Sequence, residues 1–292
     1  MNDCAYGADF DPAANSQRVN RWIVSQLAQV EPKVRGAIES YRFNEAAQGL
    51  YQFIWHTYCD WYLEFAKPLF QGDDEAAKAE TRATALWVLH KALFLLHPIM
   101  PFLTEELWQQ GGNGDDALMT TSAWPSFPAT LVDEEADTAL NWVVRMISQI
   151  RAVRSEMNVP PGARVALIVN DAAETSKGRL ADHEALIKTL ARVETIAFDQ
   201  PVPKGSVQDV VDECTLVLPL AEVIDLAQEQ ARLKKEMEKL KGEIGKLDKK
   251  LSNEQFLAKA PEEVVAEQRE RLADSQQTMD KLQTALDRLA SA

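Results

Sequence analysis

The chain has 292 residues, 46% of them hydrophobic, and a net charge of -14. The length points to two or three compact units, the apolar content excludes a disordered chain, and the acidic balance argues against broad, sequence-blind nucleic-acid binding. No apolar run has the length of a membrane span, and Met1-Asn2-Asp3-Cys4-Ala5 lacks the character of a signal peptide. Three widely spaced cysteines, Cys4, Cys59 and Cys214, make neither a disulfide scaffold nor a zinc finger and suit a reducing, cytoplasmic setting.

All seven tryptophans, Trp22 to Trp142, fall in the first half, which places the large core there. Residues 1–14 read as a loop. From Ser16, the spacing of Val19, Trp22, Ile23, Gln26, Leu27, Val30 and Val34 predicts a helix. A second helix is expected from Asn44, as N-cap, to Lys67, with Pro68 stopping it. A third begins after Gly72, where Asp73, Asp74 and Glu75 suit the positive end of a helix dipole, and runs to His97-Pro98. A short helix capped by Thr104 is expected to close at Gly111-Gly112, and a long one runs from about Glu134 to Met157, ended by Pro160-Pro161-Gly162. The texture then changes. Ala163 to Val169, Val193 to Phe198 and Thr215 to Leu220 read as strands and Asp182 to Arg192 as a helix, a small α/β unit whose thin core must lean on a neighbour.

In the last segment Leu226, Leu233, Met237, Leu240, Ile244, Leu247 and Leu251 form a seven-residue repeat broken only at Gln230. The pattern stops near Ser252 and resumes as Val265, Gln268, Leu272, Ser275, Met279, Leu282, Leu286 and Leu289, which predicts an antiparallel helical hairpin. The fold class expected is mainly α, with a helical domain over 1–159, the α/β unit over 160–221 and a coiled-coil arm over 222–292.

No phosphate-binding glycine loop or nucleophile elbow is present. His56 and Cys59 share a predicted helix, but two ligands do not make a zinc site, and core packing explains them. His97 reads as structural, before a proline kink, and His90 has no companion carboxylate. The acidic pairs Asp73-Asp74, Glu105-Glu106 and Asp115-Asp116 sit where capping explains them. No catalytic residue, cofactor site or metal site is expected. The better lead is the arm, where Arg232 to Lys250 holds eight basic and four acidic residues. Lys234, Lys235, Lys239, Lys241, Lys246, Lys249 and Lys250 all avoid the apolar seam and can face phosphates. The same residues also suit a solvated coiled-coil face interspersed with glutamate. Phe256 and Lys259 lie at the break, where the seam needs neither, and an exposed aromatic there could stack on a base.

Several stretches resemble class I aminoacyl-tRNA synthetases of the valine, isoleucine and leucine group. Phe43-Asn44-Glu45-Ala46-Ala47, Cys59-Asp60-Trp61-Tyr62-Leu63-Glu64 with Lys67-Pro68, and Leu96-His97-Pro98-Ile99-Met100-Pro101-Phe102 with Thr104-Glu105-Glu106-Leu107-Trp108 are similar to the anticodon-binding bundle of that group. Arg151 through Arg154-Ser155-Glu156-Met157-Asn158-Val159-Pro160-Pro161, and the stretch from Leu251 to Val265, resemble the valyl members, whose hallmark is a terminal coiled coil. A cysteine-rich terminal module typical of isoleucyl enzymes is absent. So are the HIGH-like and KMSKS-like signatures of the catalytic domain, and the first helix of the bundle is expected to be missing too. The resemblance therefore implies the C-terminal region of a valyl enzyme, as an engineered piece, a split gene or a truncated frame, which should not aminoacylate alone.

The role implied is positional. The bundle would read the valine anticodon, with Arg18, Arg21, Trp22 and Arg42 as candidates; equally, Trp22 reads as core and Arg18 and Arg21 as surface. The arm would hold the tRNA elbow, with Lys235, Lys239, Lys246, Lys249, Lys250, Phe256 and Lys259 as candidates. ATP and Mg²⁺ would belong to the parent enzyme's catalytic part. The partner implied is valine tRNA, with no membrane, and the chain is expected as a monomer or bound to the catalytic part if split. The competing expectation is a coiled-coil protein-interaction module that binds no RNA.

Overall fold

The computed structural model describes residues 4, 5, 7, 10–111, 118–253, 256 and 261–290, the last by its backbone only. The chain divides into two compact units, Met1–Val144 and Arg145–Ala292. Among the described residues no helix is long and apolar enough to cross a membrane.

The first unit is a helical bundle: α1 (Arg18–Glu39), α2 (Phe43–Tyr51), a wider helical segment with i→i+5 bonding (Gln52–Tyr62), α3 (Leu63–Gln71), α4 (Glu75–Leu96), α5 (Pro101–Gln110) and the start of α6 (Glu134–Glu156). The stripe predicted on α1 is the buried one: Val19, Trp22, Ile23, Leu27 and Val34 all lie in the core. Its polar member, Gln26, instead donates to Asp137 of α6 at 2.8 Å, and Ser25 and Gln29 donate to the same carboxylate. One buried-edge acceptor thereby satisfies three donors. Helix α4 buries residues on several faces, Thr81, Trp87, Val88 and Leu95 among them, because α1, α3 and α5 all contact it. His90 is 2% exposed, with its ring 5.0 Å from Trp108. Burial, then the neighbouring Lys91 charge, push its pKa down to about 4, so it is a neutral core residue near pH 7.

Helix α1 is capped from outside its own sequence. Its N-cap residue, Gln17, makes no side-chain cap. Instead the Glu80 carboxylate on α4 accepts from the backbone N–H of Ser16 and of Gln17, both at 2.9 Å, from Ser16 Oγ at 2.6 Å and from Asn20 Nδ2 at 2.9 Å. Burial alone would raise this carboxyl, but these donors outweigh it and hold Glu80 below its ordinary 4.5. A carboxylate with a lowered folded-state pKa contributes stability above its unfolded value and loses it as pH falls through the folded one. Glu80→Gln is therefore expected to lower the unfolding free energy by about 2 kcal/mol at pH 7. The loss should shrink in urea titrations at about pH 3.5. An equal loss at both pH values would rule out the charged clasp.

Three boundaries differ from the sequence expectation. Pro68 lies inside α3, which continues to Gln71. The missing proline N–H falls on an exposed turn, where water can take the freed carbonyl. Asn44 is not the cap of α2, which begins at Phe43 behind Arg42. Thr104 sits inside α5, which begins at Pro101; a proline at the first position needs no N–H partner. The Thr104 hydroxyl donates back to Met100 O and lies 2.7 Å from His97 Nδ1. Asp74, by contrast, caps α4 as expected, accepting from Ala76 and Ala77. Asp115-Asp116 lie outside the described residues.

The second unit begins with the end of α6 and builds a four-stranded sheet in the order β2-β1-β4-β3. The strands are β1 (Val165–Asn170), β2 (Val193–Phe198), β3 (Ser206–Val211) and β4 (Cys214–Pro219); β1 and β2 are parallel, the other pairs antiparallel. The β1–β2 crossover carries two short helices, α7 (Glu174–Asp182) and α8 (Glu184–Leu190), where the sequence predicted one over Asp182 to Arg192. Strand β3 was not expected, because Gln208 and Asp209 interrupt its apolar pattern. Gln208 is exposed, and Asp209 finds partners in the fold: Gln149 and Arg288 both reach it, and Arg288 also pairs with Glu156 at 2.6 Å.

The arm is α9 (Leu226–Leu251) and α10 (Glu262–Ala290), packed along each other antiparallel, with Gln230 beside Leu289 and Lys250 beside Gln268. The seam is the predicted one. Leu233, Leu247, Ser275 and Leu289 are buried and the remaining stripe residues half-buried. Gln230 interrupts the apolar series for a reason: its amide donates to the Leu289 carbonyl at 3.2 Å, satisfying a backbone acceptor in the last turn of α10. Helix α10 also packs on β3, so the thin sheet and the arm share one unit.

Candidate nucleic-acid interface

The α1–α2 corner is the most unusual surface of the first unit. Helix α1 ends with Arg42 N–H donating to Ala37 O at 2.8 Å and Tyr41 N–H to Ile38 O at 3.0 Å, which puts Tyr41 at the left-handed position with φ of 60°. Glycine or asparagine normally serves there, and a bulky residue costs roughly 1–2 kcal/mol. Yet Tyr41 is 82% exposed, so its ring does not recover that cost by burial. It meets Phe43, itself exposed, edge-on at 6.2 Å. Between them Arg42 is exposed, held by Ser40 at 3.0 Å and Glu45 at 3.1 Å. A groove of about 510 Å³ beside it runs between α1 and α2, lined by Lys33, Arg42, Gln48 and Gln52 over buried Val34 and Ala37. Exposed rings, two cations and amides are what single-stranded bases need: faces to stack on, charges for phosphate, and groups that read base edges.

The widened segment presents further rings. Tyr51 and Trp55 are exposed, while Tyr58 and Tyr62 turn inward and donate to Ala85 O and Asn20 Oδ1. His56 lies edge-on to Tyr51 at 5.3 Å and pairs with Asp60 at 2.9 Å, not with Cys59. In a wider turn, neighbours on a face are four and five apart, so the three-residue spacing read from sequence does not apply.

Of the anticodon candidates, Arg42 alone lies in this corner. Arg21 pairs with Asp133 at 2.9 Å and Arg18 with Glu135 at 3.4 Å, fastening α1 to the start of α6. Trp22 is 1% exposed, packs against Phe65 at 5.8 Å and donates to Asn141 at 3.1 Å. A ring so enclosed offers no face to a base, so its candidacy as a stacking residue is corrected: it is core. Tyr41, Phe43, Tyr51 and Trp55 were not singled out from the sequence, because an aromatic on a helix pattern carries no mark of which side its neighbours cover.

In the second unit, Lys234, Lys235, Lys239, Lys241, Lys246, Lys249 and Lys250 are all exposed, off the seam. Phe256 is half-buried, with Lys250 Nζ 4.9 Å from its ring centre. Lys259 lies outside the described residues. Arg271 pairs with Glu243 across the hairpin, so one acidic member of this stretch is already matched by the opposite helix.

Comparison with known proteins matches these two regions separately. Residues 20–169 match the anticodon-binding domain of tRNA ligases, and residues 225–290 match the valyl tRNA synthetase tRNA binding arm. Over its full length the chain is 47% identical to the valine–tRNA ligase of Caulobacter vibrioides, 48% to that of Mesorhizobium japonicum and 46% to that of Brucella suis. In each case it spans 32% of the relative's length, so it corresponds to about a third of those proteins. With one match over half of its residues and a second over the hairpin, the chain belongs to the family of tRNA-ligase anticodon-binding domains, in the form that carries the valyl-type arm.

Proposed function

We propose that this chain is the tRNA-holding part of a valine–tRNA ligase, acting in the cytoplasm on valine tRNA. The observation that carries the reading is the pairing, in one chain, of an anticodon-binding match over 20–169 with a valyl tRNA binding arm over 225–290. The bundle reads the anticodon as splayed bases at the α1–α2 corner, through Arg42, Tyr41 and Phe43. The arm lies against the tRNA elbow through Lys235, Lys239, Lys246, Lys249 and Lys250, with Phe256 and Lys259 at its tip. Together they fix the acceptor end for a catalytic part that joins valine to the tRNA using ATP and Mg²⁺; neither is called for by these residues. The working unit is a monomer, or this chain with the catalytic part if the two are separate.

The reading is tested by titrating valine tRNA, and the same tRNA with an altered anticodon, across about 50 to 200 mM salt. Valine tRNA should bind more tightly, and its affinity should fall linearly on logarithmic axes. Equal affinity for both removes the anticodon role, and no affinity for either leaves a protein-interaction arm. Lys249→Ala, Lys250→Ala and Phe256→Ala together should weaken binding about tenfold and reduce the salt slope by about 2, at roughly 0.9 per lost phosphate contact. Thermal melting should fall only slightly, since the buried seam residues are untouched and the lost contacts are the Lys250–Gln268 hydrogen bond and the Lys250–Phe256 ring contact.

A further inference from the structure

Arg288, in the last turn of α10, joins the root of the arm to two other elements of the second unit. One terminal nitrogen lies 2.6 Å from Glu156 at the end of α6, and the other 2.9 Å from Asp209 on β3. A planar guanidinium can bridge two carboxylates in this way, where an ammonium is a single point of charge. Asp209 is itself fixed, because Gln149 donates to the same oxygen. Gln149 and Glu156 are seven residues apart on α6 and so share one face, and Arg145, four residues before Gln149, reaches Asp212 just past β3 at 2.7 Å. Arg288 thus closes a polar row along α6. All three members of the clasp are half-buried, so salt screens them less than it screens exposed pairs.

Other polar contacts of the root stay within the arm: Gln230 donates to the Leu289 carbonyl, and Arg232 pairs with Glu229 and Glu236. Between the first turns of α9 and the turn after α6 lies a cleft of about 320 Å³, lined by Asn158, Pro160, Gln228 and Arg232 among others. On that side α9 has room to tilt. The tilt matters because the arm is a lever. Helix α9 has 26 residues, about 39 Å at 1.5 Å each, so a tilt of about 10° at the root moves its far end by about 7 Å. That exceeds the length of a hydrogen bond, about 3 Å, so contacts at the far end stay in register only if the root is held.

We propose that Arg288 is a positioning residue: by clasping Glu156 and Asp209 it fixes the angle of the arm, so that Lys249, Lys250 and Phe256 at the far end meet the RNA in register. The RNA half of this inference rests on the function proposed above; the control of the arm's angle does not. A root already held lowers the cost of ordering the arm at the moment of binding. Because Arg288 acts through the far end and not on the RNA itself, its removal should cost affinity only while the far-end contacts exist.

The test uses the whole chain and two measurements. In the first, the arm's angle is followed by single-molecule energy transfer between dyes on azido-amino acids in place of Thr195 on β2 and Asp248 near the far end of α9, both exposed. Wild type should give one narrow distribution, and Arg288→Ala should broaden or shift it, with Arg288→Lys in between. Glu156→Gln, which keeps the shape and weakens one side of the clasp, should act in the same direction by less. Identical distributions in wild type and Arg288→Ala overturn the proposal; if Arg288→Ala loses helicity by circular dichroism, Glu156→Gln carries both measurements. In the second, valine tRNA binding is measured with and without Arg288→Ala, in wild type and in the combined Lys249→Ala, Lys250→Ala and Phe256→Ala variant. Arg288→Ala should weaken wild-type binding several-fold and the combined variant's binding scarcely at all, the non-additivity expected of residues that act through one another. Equal loss in both backgrounds, or no loss in either, overturns the positioning role. If the distribution broadens but wild type binds no tRNA, the clasp stands and the tRNA-holding function is what fails.

Discussion

Trp22→Ala is expected to destabilise the first unit by about 3–5 kcal/mol, the usual cost of emptying a large aromatic site in a core. The indole is 1% exposed, it packs on Phe65, and its N–H donates to Asn141, so the variant loses apolar contact and also the hydrogen bond to the half-buried Asn141 side chain. Because a domain's whole stability is about 5–15 kcal/mol, this is a large share of it. In urea titrations the transition of the first unit should move to much lower concentration, while the second unit, which holds none of the seven tryptophans, keeps its own transition. Trp22→Phe should recover part of the loss by refilling volume without the hydrogen bond. A Trp22→Ala chain with wild-type stability and weakened tRNA binding would return Trp22 to the interface and remove it from the core.

Tyr41→Ala with Phe43→Ala is expected to do the opposite: binding falls and stability stays. Base–aromatic stacking contributes about 1–3 kcal/mol per base, so loss of two rings should weaken valine tRNA binding by about 30-fold or more. Both side chains are exposed, so no core is disturbed; Tyr41→Gly should even stabilise the α1–α2 corner, because glycine accepts its left-handed backbone without strain. The anticodon-altered tRNA should lose less than valine tRNA, which separates this effect from the general loss of charge at the arm. Unchanged affinity in the double variant, with wild-type melting, would move the anticodon contact away from this corner, and Tyr51 and Trp55 on the widened segment would be the next pair to replace.

The candidate site was legible unevenly, for reasons visible in particular residues. The arm lysines could be placed because a heptad assigns every position to the seam or to solvent, and each of the seven is exposed in the fold. Arg42 could be named from charge alone. Tyr41 and Phe43 could not, since exposure of an aromatic depends on which neighbouring helices cover it, and only the bundle decides that. The same reason turned Trp22 from candidate to core.

From the sequence alone came the elements with a regular period and strong punctuation: the buried stripe of α1, the cap of α4 at Asp74, three of the four strands, and the hairpin with both of its stripes. Local chemistry suffices there, because side-chain period and turn residues act within a few positions of themselves. Tertiary structure decided what depends on distant partners. Glu80 caps a helix sixty residues away in the chain, and the carboxylate of Asp209 is held by Gln149 and Arg288, which lets an interrupted pattern become β3. Pro68 stays helical because its lost bond faces solvent. In each case the deciding interaction is a hydrogen bond or a buried surface between segments far apart in sequence, and no local pattern records it.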